Sequence, residues 1–116
     1  MNKEILNNMY NSRKKPFFSV VIPTYNRAAI LPECIGCVLD QTFDNFEIVL
    51  VDNGSTDNTR ELYENHEDKR LRYIYQQGSG SPASPRNTGL KNAYGDWICF
   101  LDSDDLWYKN KLEQVK

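Results

Sequence analysis

Asp96-Trp97-Ile98-Cys99-Phe100-Leu101-Asp102-Ser103-Asp104-Asp105 carries an apolar run straight into a knot of carboxylates. Trp97 to Leu101 reads as a buried strand, because a short continuous apolar run bounded by polar residues fits a strand covered on both faces. Asp102, Asp104 and Asp105 then place three acidic side chains within four residues. Such a cluster repels itself at neutral pH unless a cation or solvent relieves it. Carboxylate oxygens suit a hard divalent ion, Mg²⁺ or Mn²⁺, whose other positions go to water and to substrate phosphates. The plainer alternative is a solvated turn that caps the next helix.

Moving outward from this stretch, the same sequence of apolar strand and polar ending recurs. Phe17 to Ile22 is an apolar, β-branched run stopped by Pro23 and followed by Thr24-Tyr25-Asn26-Arg27. Leu31, Cys34, Ile35, Val38 and Leu39 then fall at helical spacing, with Pro32 tolerable in the first turn. Phe46 to Val51 is a second strand, running into Asp52-Asn53-Gly54-Ser55-Thr56-Asp57. Gly54 permits a tight turn there, and Ser55 or Thr56 is placed to cap a helix whose inner face carries Leu62 and Tyr63. Leu71 to Tyr75 is a third strand. A Gly/Ser loop follows it, and Ser84-Pro85 reads as an N-cap and first helical position with Arg86 in the first turn.

Strands near 17–22, 46–52, 71–75 and 96–101, alternating with helices, predict an α/β fold with a parallel sheet. Ligands of such sheets bind outside the carboxyl ends of the strands. That edge collects Thr24, Tyr25, Asp52, Arg86, Asp102 and Asp104. An aromatic ring at Tyr25 can stack on a base, Asp52 can accept from a ring N–H, and Asp104 can hold a cation against phosphates. A nucleoside-diphosphate pocket explains that convergence better than four independent helix caps do.

The remaining signals are weaker. At 116 residues the chain is one domain at most, and its formal charge of −2 gives no footprint for nucleic acid. No apolar run approaches the roughly 20 residues of a membrane span, so the expected location is cytoplasmic. Residues 1–15 form a polar arm ahead of the domain at 16–116. The arm's basic trio, Arg13, Lys14 and Lys15, suggests either peripheral membrane contact or, more simply, a solvated lead-in. Three cysteines, an odd number, point to reduced thiols. Cys34 and Cys37 form a Cys-x-x-Cys without a second pair, and Cys34 lies on the apolar stripe, which favours core thiols over redox or zinc chemistry. His66 reads as solvated, and Gly78 and Gly80 are a poor match to a dinucleotide fingerprint.

Phe-Ser-Val-Val-Ile-Pro-Thr-Tyr-Asn-Arg (18–27), Gln-Thr-Phe (41–43) with Phe-Glu-Ile-Val-Leu-Val-Asp-Asn-Gly-Ser-Thr-Asp (46–57), Arg-Asn-Thr-Gly-Leu (86–90), Gly-Asp-Trp-Ile-Cys-Phe-Leu-Asp-Ser-Asp-Asp-Leu-Trp (95–107) and Lys-Leu-Glu (111–113) stand in that order. In that order and spacing the chain resembles the family 2 glycosyltransferases of GT-A fold, over about residues 17 to 116. The resemblance implies a Rossmann-like GT-A nucleotide-binding half, with a mostly parallel sheet of order 3-2-1-4 flanked by helices. It implies that Pro23, Thr24, Tyr25 and Asp52 surround the nucleoside and that Arg86 lies beside it. Asp102-Ser103-Asp104 becomes the DXD motif, with Asp102 near the ribose and Asp104 on the Mn²⁺ or Mg²⁺ ion. One departure is Asn53, where the family often has a second Asp.

The function implied is an inverting transfer of a sugar from a nucleoside-diphosphate sugar to a hydroxyl of a glycan or lipid-linked acceptor, as in polysaccharide synthesis. UDP as the carrier rests on the resemblance alone, since Asp52 could also accept from guanine. The acceptor half and a general base are expected beyond Lys116, so the chain by itself is expected to be inactive and to self-associate through the apolar edge at 96–101, unless the arm folds over it. The alternatives are a sugar-phosphate nucleotidyltransferase, which would want a Gly-rich loop after the first strand, and a non-catalytic nucleotide-binding module.

Overall fold

A computed structural model describes residues 15–115. The predicted arm therefore lies outside the described residues, apart from Lys15. The elements are β1 (Phe18–Thr24), α1 (Leu31–Leu39), β2 (Phe46–Asn53), α2 (Thr59–Tyr63), β3 (Leu71–Gln76), α3 (Ala83–Asn92), β4 (Trp97–Phe100) and α4 (Lys111–Val115). The strands pair in parallel in the order β3-β2-β1-β4. This is the α/β architecture and strand order expected of the GT-A half.

The central strands are β-branched runs covered on both faces. On one face Phe18, Val20, Ile22, Ile48 and Leu50 pack with the α1 stripe Leu31, Cys34, Ile35 and Val38 and with Leu112 of α4. On the other, Val21, Val49 and Val51 form a thinner core flanked by Ile74 and Ile98. There α3 lies so close that a Cβ at Gly89 would fall 2.3 Å from Val21 Cγ1. This second face also buries a charge. The Glu47 carboxylate accepts from Ser19 Oγ at 2.6 Å, from the Tyr94 N–H at 2.7 Å and from Arg72 Nε at 2.9 Å. A buried carboxylate is tolerable only when paired and hydrogen-bonded in this way.

Several local expectations change. β1 does not stop at Pro23 but continues to Thr24, paired with Asp52. Pairing with β4 ends at Val21 opposite Phe100, so Pro23 has a strand neighbour on the β2 side only, and its missing N–H falls on the β4 side, where no ladder partner is lost. Leu62 is not on the inner face of its helix: it is 45% exposed. With five residues, α2 turns inward only Thr59 and Tyr63, four apart. Neither Ser55 nor Thr56 caps it, since it begins after Asn58. Likewise α3 begins at Ala83, with Pro82 at the cap position and no side-chain cap; Ser84 Oγ instead accepts from Gln76 Nε2, while Arg86 stays in the first turn. The strand read as buried at 97–101 is the half-open edge β4, with Trp97 62% exposed, because it pairs only with β1. Among the described residues no helix is long and apolar enough to cross a membrane.

Candidate donor-binding site

The carboxyl ends of the strands open into a cleft of about 760 Å³. Pro23, Thr24 and Tyr25 reach it from the end of β1, Arg86 from the first turn of α3, and Asp102, Ser103 and Asp104 from the segment after β4. The parallel sheet thus brings every predicted site residue to one wall except Asp52. Tyr25 presents half its surface to solvent, with its ring free to stack.

Asp52 lies beneath the cleft and is fully buried. Its Oδ1 accepts the Ser55 N–H at 2.9 Å, and its Oδ2 accepts the Tyr73 hydroxyl at 2.5 Å. The carboxylate therefore braces the turn after β2 and ties it to β3. That bond, with burial ahead of it, pushes the Tyr73 phenol well above the ordinary tyrosine range.

Thr24 is 4% exposed, and among the described residues its Oγ1 has no hydrogen-bond partner. An unpaired buried hydroxyl costs about 1–3 kcal/mol and calls for an explanation. Thr24 also lines the cleft, with its hydroxyl oxygen itself hidden from solvent.

The acidic cluster is solvent-exposed, and one carboxylate oxygen from each of Asp102, Asp104 and Asp105 falls within 4.8 Å of the others. Two arginines lie on it. Arg86 Nη2 approaches Asp102 Oδ1 at 3.3 Å, and Arg27 Nη1 approaches Asp104 Oδ2 at 3.4 Å. All four side chains are about half exposed, so each pair contributes at most about 1 kcal/mol. An all-carboxylate donor set of this kind fits a hard divalent ion.

Cys34 and Cys37 lie outside this chemistry. The Cys34 thiol donates to the Asp102 carbonyl at 3.6 Å, and the Cys37 thiol donates to the Cys34 carbonyl. Burial first, then the nearby Cys37 and the acidic cluster, push the Cys34 thiol up to about 12. Among the described residues all the cysteines are free.

Sequence reading missed Arg27, Asn26, Tyr73 and the pairing of two glycines. Asn26 takes φ 49°, and its Oδ1 accepts the Thr56 and Asp57 N–H groups, which clamps the turn after β1 onto the turn after β2. Asparagine's tolerance of that backbone region was the available signal. A Cβ at Gly54, itself at φ 83°, would fall 2.6 Å from the Gly78 nitrogen, so Gly54 permits the close approach of the Gly/Ser loop to the end of β2. Asn53 Oδ1 accepts from Gln76 Nε2 at 2.9 Å in the same place.

The profile described as Glycosyl transferase family 2 matches residues 19–115. An uncharacterized glycosyltransferase of Rickettsia felis is 53% identical over 96 residues, 82% of this chain and 16% of that protein. The Escherichia coli UDP-Glc:alpha-D-GlcNAc-diphosphoundecaprenol beta-1,3-glucosyltransferase WfgD is 41% identical over 82% of this chain and 38% of its own length. The chain thus spans well under half of these relatives. Among solved structures, S. aureus TarS 1-349 in complex with UDP-GlcNAc superposes with TM-score 0.79 at 38% identity, covering 84% of this chain and 29% of that one. The Pyrobaculum calidifontis mannosyltransferase PcManGT in complex with GDP-Man and Mn²⁺ superposes with TM-score 0.70 at 32% identity, covering 80% and 29%. The strand order, the cleft and the length of the matched stretch agree: the chain belongs to glycosyltransferase family 2.

Proposed function

We propose that this chain is the donor- and metal-binding part of an inverting glycosyltransferase that uses a UDP-sugar and a glycan or lipid-linked acceptor hydroxyl. The observation that carries the reading is the convergence of Tyr25, Arg86 and the carboxylates of Asp102 and Asp104 on one cleft at the carboxyl ends of a parallel sheet. Support for UDP comes from TarS, crystallised with UDP-GlcNAc, and from the UDP-Glc in the name of WfgD; the latter's diphosphoundecaprenol supports a lipid-linked acceptor. The Mn²⁺ in PcManGT supports a divalent ion.

In this reading Tyr25 and Pro23 hold the base, Ser103 and Asp102 approach the ribose, and the Thr24 hydroxyl pairs with a polar group of the nucleoside. Asp104, with Asp102 and Asp105 beside it, would hold Mg²⁺ or Mn²⁺, which when bound supplies neutralisation of the charge on the departing diphosphate. Arg86 adds a fixed positive charge on the same wall. Asp52 keeps this wall in shape, each of its oxygens retaining a second lone pair. A metal-holding carboxylate makes a poor base, so the proton of the acceptor hydroxyl is assigned to a residue in the part of the relatives this chain does not match.

Displacement of a labelled UDP-sugar by UDP and by GDP tests the donor. UDP should displace it at the lower concentration, and a clear preference for GDP would remove uridine from the reading.

A further inference from the structure

The two arginines on the acidic cluster come from different parts of the fold, Arg27 from the turn after β1 and Arg86 from α3, yet each rests on one carboxylate of the segment after β4. Arg27 belongs to no predicted set, and its backbone is pinned. Its carbonyl accepts the Ile30 and Leu31 N–H groups, which opens α1. Its neighbours are tied across to the turn after β2: the Asn26 N–H donates to Ser55 Oγ at 2.8 Å and the Ala28 N–H to Asp57 Oδ2 at 3.1 Å. The side chain by contrast is 44% exposed and lines the cleft. A fixed base with a free guanidinium head is the arrangement of a residue that can exchange partners without moving the backbone.

On this basis, and resting on the donor-site reading above, we propose that Arg27 is a donor-binding residue that occupies Asp104 in the ligand-free chain and passes to the diphosphate when a divalent cation takes that carboxylate. The argument is electrostatic. A divalent ion at Asp104 and a guanidinium at the same oxygen repel, so the arginine must leave. The anion then nearest is the diphosphate, whose paired oxygens match the guanidinium fork better than a single carboxylate held at 3.4 Å does. Three carboxylates and two guanidinium groups leave the cluster with one net negative charge; a divalent ion turns it positive and so draws in the diphosphate. Cation alone must displace Arg27 and binds weakly, whereas cation with diphosphate gives Arg27 a new partner. The two ligands are therefore coupled through this side chain.

Binding measured on the whole chain decides it, with Mn²⁺ alone followed by the loss of free-ion electron paramagnetic resonance signal, and UDP titrated with and without Mn²⁺. Arg27→Gln should bind Mn²⁺ alone about two- to fivefold more tightly, the range expected for removing an exposed ion pair, and bind UDP in the presence of Mn²⁺ more weakly by a similar factor. Arg27→Lys, which keeps charge without the fork, should also weaken UDP binding and serves if the Gln variant fails to fold by circular dichroism. Mn²⁺ affinity that is unchanged or lower in Arg27→Gln, or UDP affinity unchanged in both variants, would overturn the assignment. A parent chain whose UDP binding ignores Mn²⁺ altogether would instead sink the donor-site reading, so the two failures are told apart.

Discussion

Thr24 and Cys34 show how burial acts in opposite ways on two small side chains. The Thr24 hydroxyl is buried without a partner, so the ligand-free chain bears its desolvation. Thr24→Val should therefore raise stability by about 1 kcal/mol while weakening UDP binding by about the same amount, each read by thermal melting and titration. Loss of stability with unchanged binding would mark the hydroxyl as structural. Cys34 is buried as a neutral thiol, lifted from its ordinary 9.0 to about 12. A raised acid contributes stability that is full below the unfolded value, about 9, and is lost as pH rises through about 12. Cys34 should accordingly resist thiol reagents at pH 8 until the chain is denatured, and stability should fall between pH 9 and 12. The residue types of the site were legible because their chemistry is carried by the side chain itself: carboxylates at Asp102 and Asp104, a ring at Tyr25, a guanidinium at Arg86. The burial of Asp52 and the role of Arg27 were not, because both depend on which distant groups, Tyr73 and Asp104, the fold brings within reach.

At the scale of elements, α3 is placed by an absence. Gly89 lets the helix lie against Val21, and any Cβ there must displace a side chain buried in the sheet. Gly89→Ala gains up to about 1 kcal/mol of helix propensity but overpacks by about 1–3 kcal/mol, so the clash wins and the chain should be destabilised. Because α3 carries Arg86, UDP binding should weaken with it; a variant as stable and as tight-binding as the parent would show that α3 has room to shift. The four strands were readable from their apolar runs, and their order followed from the family resemblance. The starts of the second and third helices were not, because Ser55, Thr56 and Ser84 looked like caps in isolation, whereas α1 begins at Leu31 with Pro32 in its first turn as read. In the fold Ser55 and Ser84 accept from Asn26 and Gln76, and Thr56 offers its N–H to Asn26. Side-chain oxygens near a helix start serve either end, and only tertiary contacts choose.

For the whole molecule, the sheet is asymmetric. β3 ends it on one side, while β4 ends it on the other with Trp97 and Phe100 exposed and a cavity of about 360 Å³ between Phe17, Trp97, Cys99 and Val115. An apolar edge of this kind invites strand pairing. We expect the chain to self-associate at micromolar concentration in sedimentation, and Trp97→Lys to shift it toward monomer; a parent chain that stays monomeric throughout would contradict this. The edge was foreseeable from the strand order that the resemblance implied, whereas the apolar run at 97–101 by itself read as buried; the half-open state follows from pairing with β1 alone.

The proposed donor cleft stands or falls on the acidic segment that follows β4. Calorimetric titration of UDP into the whole chain, with Mn²⁺ and then with chelator, and the same pair of titrations on Asp104→Asn, tests it most directly. The account predicts tighter UDP binding with Mn²⁺ than without for the parent chain and no such difference for Asp104→Asn. Equal affinity of the parent chain with and without metal would contradict it.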